Sequence, residues 1–197
     1  MVCALDDCEV WSVNLLVQWR RLGHYPLVTR REETLEAAGL AERVADALRR
    51  TNSTVAVAES VTGGQVACQL SAAGGASEWF RGGLVAYSKY AKFTVLGVDR
   101  GPVITRACAK QMAVGVRRLL SADYAVSTTG AGGPGSQEGR PAGTVFIAVA
   151  SAVGSQVRDY RFDGDPEGVV RDAAEQALRD LALVTSEGGD NYLGTRT

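Results

Sequence analysis

The 197-residue chain carries a formal net charge of −1 and 46% hydrophobic residues, which is the composition of an ordinary soluble globular protein with one core. Its near-neutral charge argues against nucleic acid or a membrane surface as a partner, but it is compatible with a local site for a small anion. Residues 1–30 lack the pattern of a signal peptide, and the apolar segment Val13–Val17 is too short to cross a bilayer, so we expect a cytoplasmic protein.

Residues 1–32 show no clear hydrophobic periodicity, and we interpret them as an N-terminal extension. From there on, apolar residues recur at helical spacing or form short buried runs typical of strands. The pattern predicts, in chain order, a helix over 33–50, a strand over 54–58, a helix over 62–70, a strand over 83–88, a helix over 105–120, strands over 124–128, 144–150 and 156–162, and a helix over 167–184.

This order of elements predicts an α/β fold, a layered α/β/α domain over residues 33–186 in which helices cover a sheet. The last two strands follow each other without a helix between them, which favours a mixed sheet over a purely parallel one. The polar residues 187–197 are expected to form a flexible tail. Glycine-rich and polar loops follow three of the strands, and such loops gather at one edge of an α/β sheet, where small ligands bind.

The residues that are missing narrow the possible chemistry. The only histidine, His24, lies in the extension, so the domain cannot contain a Ser-His-Asp triad. The four cysteines show no CxxC spacing and no histidine nearby, which argues against zinc, and we expect no metal and no cofactor. A hydrolase built from this chain must therefore use a carboxylate, a tyrosine or a lysine as its base.

Lysine is rare in this chain. Of 21 basic residues only Lys89, Lys92 and Lys110 are lysines, and the first two lie close together at the predicted end of a strand. A buried lysine can lose its proton, whereas arginine does not. These lysines therefore either lie in a solvated turn or include one that is buried and supplies a neutral amine.

Two further segments are ambiguous from the residues alone. Ser60 to Gly64 joins a predicted strand to a helix, so its small residues either bring backbone N–H groups to an anion or only cap and turn the chain. The loop Gly130 to Gly135 matches the spacing GxGxxG, but Pro134 follows where a helix should begin, so we reject a dinucleotide site. Its glycines either offer backbone donors to a substrate or form a plain connection.

Several segments together resemble the CinA C-terminal domain family, whose active members are nicotinamide-mononucleotide amidohydrolases. The resemblance covers about residues 35–184 and rests on the order and spacing of its motifs. These are Ala58–Gly64, Gly75–Ser77, Trp79–Gly83, Tyr87–Ser88, Ala91–Lys92, Thr129–Pro134, Pro141–Val145 and Phe162–Asp165.

The resemblance implies hydrolysis of the carboxamide of nicotinamide mononucleotide to nicotinic acid mononucleotide and ammonia by a Ser/Lys dyad, in pyridine nucleotide recycling. It places the nucleophile on Ser77 and the base on Lys92, with Ser60 as the alternative nucleophile. The residues expected to bind the substrate are Ser60, Thr62, Gly63, Gly64, Tyr87, Thr129, Gly130 and Gly132. The resemblance also implies a homodimer.

The chain departs from the family pattern at three positions near these motifs. Val61 stands where many relatives have cysteine, Lys89 replaces a commoner asparagine, and Pro166 replaces an arginine. These departures leave two other functions open. One is a catalytically inactive nucleotide-binding module of the same fold, and the other is an amidase for another small amide.

Overall fold

The computed structural model describes the backbone of residues 27–186 and the side chains of residues 36–186. The chain divides into two units at Leu35, and the fold described below is that of the second unit. The extension over 1–32 and the tail over 187–197 lie largely or wholly outside the described residues, and the predicted domain boundaries stay predictions.

Six helices and five strands occupy the described part of the chain. They are α1 (Leu27–Thr51), β1 (Val55–Glu59), α2 (Gln65–Ala72), α3 (Ala76–Trp79), β2 (Phe80–Val85), α4 (Lys89–Val95), α5 (Arg106–Leu119), β3 (Tyr124–Gly130), β4 (Thr144–Ala150), β5 (Ser155–Arg161) and α6 (Pro166–Ser186).

The strands form one mixed sheet in the order β2-β1-β3-β4-β5. The strands β2, β1 and β3 run parallel, while β4 and β5 continue the sheet in antiparallel register. The predicted mixed sheet is confirmed. Because three parallel strands share one direction, the loops that follow β1, β2 and β3 emerge at the same edge of the sheet.

The two faces of the sheet carry different residues, since successive side chains of a strand point to opposite faces. Val55 and Val57 pack on one face with α1, α2 and α6, whereas Ala56 and Ala58 pack on the other face with α5. The small alanine side chains allow α5 to lie close to the sheet. Helices thus cover both faces, and the predicted α/β/α layering is confirmed.

The strand predicted over 83–88 is present as β2, displaced by three residues: β2 runs from Phe80 to Val85, and α4 begins at Lys89. The start of β2 is difficult to recognise in the sequence, because its glycines disfavour strands and supply no hydrophobic pattern. Gly83 is needed for packing, since a Cβ atom there would lie 3.2 Å from the Cβ of Ala67 on α2. The other predicted elements are present, with ends shifted by a few residues, most of all the first helix, which begins six residues earlier.

Candidate active site

The carboxyl ends of β1, β2 and β3 surround a cavity of about 400 Å³, a volume typical of small-molecule sites. The chain leaves β1 for β2 on one side and returns to β3 on the other, so the segment after β1 lies where the strand order reverses. Six of the residues predicted for the site line this cavity: Ser60, Tyr87, Lys92, Thr129, Gly130 and Gly132.

Lys92 is buried beside this cavity, with 1% of its surface exposed. Its Nζ atom donates to the hydroxyl oxygen of Ser60 at 2.9 Å, and to the carbonyl oxygens of Ala86 at 2.7 Å and Tyr87 at 3.2 Å. None of these acceptors carries a charge, so the ammonium is buried without an ionic hydrogen-bond partner. Burial therefore lowers the pKa of Lys92 below its ordinary value of 10.5.

The predicted contact between Ser77 and Lys92 is wrong. Ser77 lies exposed in α3, directly before β2, while Lys92 lies beyond the other end of that strand. Within the described chain, the hydrogen bonds of the Lys92 amine reach Ser60, Ala86 and Tyr87, and Ser77 is absent from the cavity. The alternative nucleophile, Ser60, is the serine that the fold places against the lysine.

Glu59 precedes Ser60 and holds the turn that carries it. The carboxylate is 1% exposed and accepts four hydrogen bonds, from the Thr62 hydroxyl at 2.6 Å and from the backbone N–H groups of Gly64 at 2.9 Å, Val66 at 3.2 Å and Ala67 at 2.8 Å. Sequence reasoning named Glu59 only as part of the motif, although a carboxylate is a favourable cap for a helix that follows it.

The Glu59 carboxylate changes the interpretation of Thr62, Gly63 and Gly64. We expected this segment to offer backbone donors to a substrate, but the N–H groups at the start of α2 are occupied by Glu59. Thr62 is fully buried, and none of the three residues lines the cavity. Their positive φ angles, 61° at Gly63 and 108° at Gly64, are those that glycine adopts readily, so the two glycines shape the turn.

Consecutive hydroxyl groups of β3 connect the sheet to its surroundings. Ser127 donates to the carbonyl of Ala109 on α5 at 2.6 Å, and Thr129 donates to the carbonyl of Val103 at 2.8 Å. Thr128 and Thr62 share a hydrogen bond of 2.7 Å. Each hydroxyl therefore ties the strand to a different segment that borders or supports the cavity.

The thiol of Cys108 on α5 is buried close to Lys92 and Thr129. Burial raises its pKa to about 11, so the thiol stays protonated at neutral pH. The protonated thiol is a poor nucleophile, and it contributes a neutral group to the surroundings of Lys92.

Among the cavity-lining residues, Val61 and Gly132 have backbone N–H groups without an acceptor in the described chain. The two residues are neighbours, since a Cβ atom on Gly132 would lie 3.3 Å from a methyl carbon of Val61. Val61 directly follows Ser60, so its N–H group lies next to the candidate nucleophile.

Lys89 and Glu138 form an ion pair at the rim of the cavity. The other oxygen of Glu138 accepts the backbone N–H groups of Val103 at 2.7 Å and Ile104 at 2.9 Å. Burial acts to raise the pKa of Glu138, but the contact with Lys89 and the two backbone hydrogen bonds outweigh it and hold this pKa below its ordinary value. Glu138 was not among the predicted site residues, because no sequence pattern marks it.

The site combines a buried lysine, a serine against it and unpaired backbone donors. Comparisons with known proteins match the chain as a whole to one family. The model of the CinA C-terminal domain matches residues 37–185. The chain belongs to the CinA C-terminal domain family.

Relatives of different lengths share this domain. The Escherichia coli (strain K12) protein named nicotinamide-nucleotide amidohydrolase PncC is 39% identical over 153 residues, which cover 74% of this chain and 93% of that protein. A CinA-like protein of Frankia casuarinae is 41% identical over 136 residues, which cover 66% of this chain. The chain spans about a third of the length of the longer CinA-like relatives, 31% in the Frankia case.

A solved structure shares the fold. The crystal structure of a CinA superfamily protein from Klebsiella pneumoniae has a TM-score of 0.74 and 33% sequence identity, covering 77% of this chain and 98% of that one. Within residues 27–186 of the present chain, no helix is both long and apolar enough to span a membrane. The described side chains also include no group of three or more metal-binding residues.

Proposed function

We propose that this protein hydrolyses the carboxamide of nicotinamide mononucleotide to nicotinic acid mononucleotide and ammonia, with Ser60 as the nucleophile and Lys92 as its base. The observation that carries the proposal is the 2.9 Å contact between the Lys92 amine and the Ser60 hydroxyl in a buried pocket. The name of the Escherichia coli relative, which aligns over 93% of its length, supports the substrate.

The surroundings of Lys92 suit a base. A neutral amine has two N–H bonds and one lone pair. If the N–H bonds point to the carbonyl oxygens of Ala86 and Tyr87, the lone pair faces the Ser60 hydroxyl, which then donates to Lys92 across the same short contact. Burial favours this neutral form, because it lowers the pKa of Lys92.

In the first half of the reaction, Lys92 takes the Ser60 proton as the serine oxygen bonds to the carboxamide carbon. We assign the resulting oxyanion to the N–H groups of Val61 and Gly132, which have no acceptor in the described chain, and one such donor typically contributes about 3 kcal/mol. The C–N bond of the tetrahedral intermediate then breaks, and the nitrogen receives the proton from Lys92. Ammonia departs, and the acyl group remains bound to Ser60 as an ester.

In the second half, water attacks the ester while Lys92 accepts a proton from the water. The acid product leaves as the proton returns to the Ser60 oxygen, which restores both residues. The sum is one water consumed for each ammonia released. The chemistry requires no metal ion.

The direct test is release of ammonia and formation of nicotinic acid mononucleotide by the wild-type protein and by Lys92→Arg. Arginine keeps the positive charge but stays protonated, so we expect turnover to fall about 10³-fold or more in the variant. Binding of the nucleotide, measured by calorimetry, should persist. If the wild type binds the nucleotide and releases no ammonia, the alternative of an inactive nucleotide-binding module is correct.

Turnover of free nicotinamide as fast as of the mononucleotide would instead favour an amidase for another small amide. The homodimer and the cytoplasmic location stay predictions.

A further inference from the structure

The pocket that we assign to the carboxamide must also accommodate the phosphate of a mononucleotide. A phosphate monoester carries a charge of about −1.5 to −2 at neutral pH. Among the described residues that line the cavity, only Lys89 and Lys92 are cations, and Glu138 is an anion. The structure therefore offers few ways to balance the phosphate.

Lys92 is not available to the phosphate. Its amine already has three polar partners within 3.2 Å, which occupy the two N–H bonds and the lone pair of the neutral form. It is also 1% exposed and lies against the proposed nucleophile. A phosphate bound there would displace the reacting carboxamide.

The N-termini of α2 and α6 near the cavity are also occupied, although such termini commonly bind phosphate. The first turn of α2 donates to the Glu59 carboxylate. At the start of α6, Gly168 donates its N–H to the Asp165 carboxylate at 2.8 Å, and Pro166, which lines the cavity, has no N–H to offer. Each of these termini thus already faces a carboxylate of the chain.

Lys89 remains, and its position suits an anion. Its side chain is 56% exposed at the rim of the cavity. One carboxylate oxygen of Glu138 orients it, while two backbone N–H groups hold the other oxygen of Glu138 in place. An ammonium group has three N–H bonds, so two remain for a ligand.

We propose that Lys89 anchors the phosphate monoester of the substrate and thereby makes this pocket prefer a mononucleotide to the corresponding nucleoside. The inference rests on the proposed function, because it assumes that the carboxamide reacts at Ser60. Glu138 acts as a positioning residue that holds the Lys89 ammonium at the rim.

The test compares two substrates that differ only in the phosphate, nicotinamide mononucleotide and nicotinamide riboside. In Lys89→Gln, we expect the ratio of kcat/KM for the mononucleotide to kcat/KM for the riboside to fall about 10-fold to 100-fold, mainly through KM. The ratio cancels any influence of Lys89 on Lys92, because that influence is common to both substrates. Lys110→Gln, which removes an exposed lysine of α5 outside this cavity, should leave the ratio unchanged.

A ratio that stays at the wild-type value in Lys89→Gln would overturn the inference while leaving the proposed function intact. If the wild type turns over neither compound, the proposed function fails, and calorimetric binding of the same two compounds decides the role of Lys89. In that case, a selective loss of mononucleotide affinity in Lys89→Gln supports the phosphate anchor. Equal affinities for the two compounds in the wild type, or binding of neither, overturn it.

Discussion

Ser60 and Ser77 lie at opposite ends of the parallel pair β1 and β2. Ser60 follows the last residue of β1, and Ser77 lies in the short helix that precedes β2. Since β2 has six residues, the two ends are about 15 Å apart. Ser60 is buried against an amine, whereas Ser77 is exposed.

This difference teaches that a serine in a small-residue segment is not by itself a nucleophile. The parallel direction of the strands decides which loops meet, and only the loops after β1 and β2 can bring Ser60 to Lys92. The same direction places Ser77 at the far edge of the sheet, in the short helix α3 that follows Gly75.

The largest expected effect is the difference in activity between alanine substitutions of Ser60 and Ser77. Ser60→Ala should reduce ammonia release from nicotinamide mononucleotide about 10⁴-fold or more, because removing a nucleophile typically costs that much. Ser77→Ala should stay within about twofold of the wild type, since exposed substitutions away from a site change little. Steady-state assays with equal amounts of folded protein measure both variants. Loss of activity in Ser77→Ala with activity retained in Ser60→Ala would identify Ser77, and not Ser60, as the nucleophile.

A smaller effect concerns how Ser60 is held. In Glu59→Gln the new amide directs N–H bonds at backbone donors, so the turn around Ser60 should shift, and kcat should fall about 10-fold to 100-fold while KM changes little. Stability should also fall, by about 1–3 kcal/mol, because buried donors lose their acceptor. Kinetics and chemical denaturation measure the two effects separately.

Asp180→Asn is the matched control for Glu59→Gln. Asp180 on α6 is another buried carboxylate, 4% exposed, and accepts hydrogen bonds from Arg158, Tyr160 and Gln176. Its substitution should lower stability to a similar extent without lowering kcat, since none of these residues lines the cavity. If both variants lose kcat in proportion to their loss of stability, Glu59 has a structural role only.

The smallest expected effect is on pH dependence. Because the neutral Lys92 is the proposed base, kcat/KM should rise with pH through the pKa of Lys92, which burial places below 10.5. Glu138 raises this pKa and Lys89 lowers it. Glu138→Gln should therefore move the rising part of the profile to lower pH, and Lys89→Gln should move it to higher pH. Shifts in the same direction for both variants would contradict a base that responds to these charges.

Much of the fold was predictable from local patterns. The buried apolar runs of β1 and β4 signal strands, and the amphipathic spacing of α5 signals a helix, because each element buries one face or both. The strand β2 was misplaced because its glycines contribute no hydrophobic pattern, although the small size of Gly83 is what allows α2 to pack there.

The candidate site was predicted only in part. The scarcity of lysine and the resemblance both indicated Lys92, but its partner depends on which strands are parallel and in what order they lie. Glu138 comes from a loop 46 positions beyond Lys92, and its contacts with Val103 and Ile104 form only in the folded chain. Contacts of this kind leave no local trace in a single sequence.

In the central strand β3, the volume of the side chains and the hydrogen bonds of their hydroxyl groups have different roles. Valine could fill nearly the same volume as each threonine of β3, and a strand of aliphatic residues would hold its neighbours by contact alone. Hydroxyl groups fix direction as well as distance, and those of Ser127, Thr128 and Thr129 bond to three separate segments. A scaffold repacked with isosteric aliphatic residues would therefore keep its architecture and yet lose the relative placement of its pocket walls.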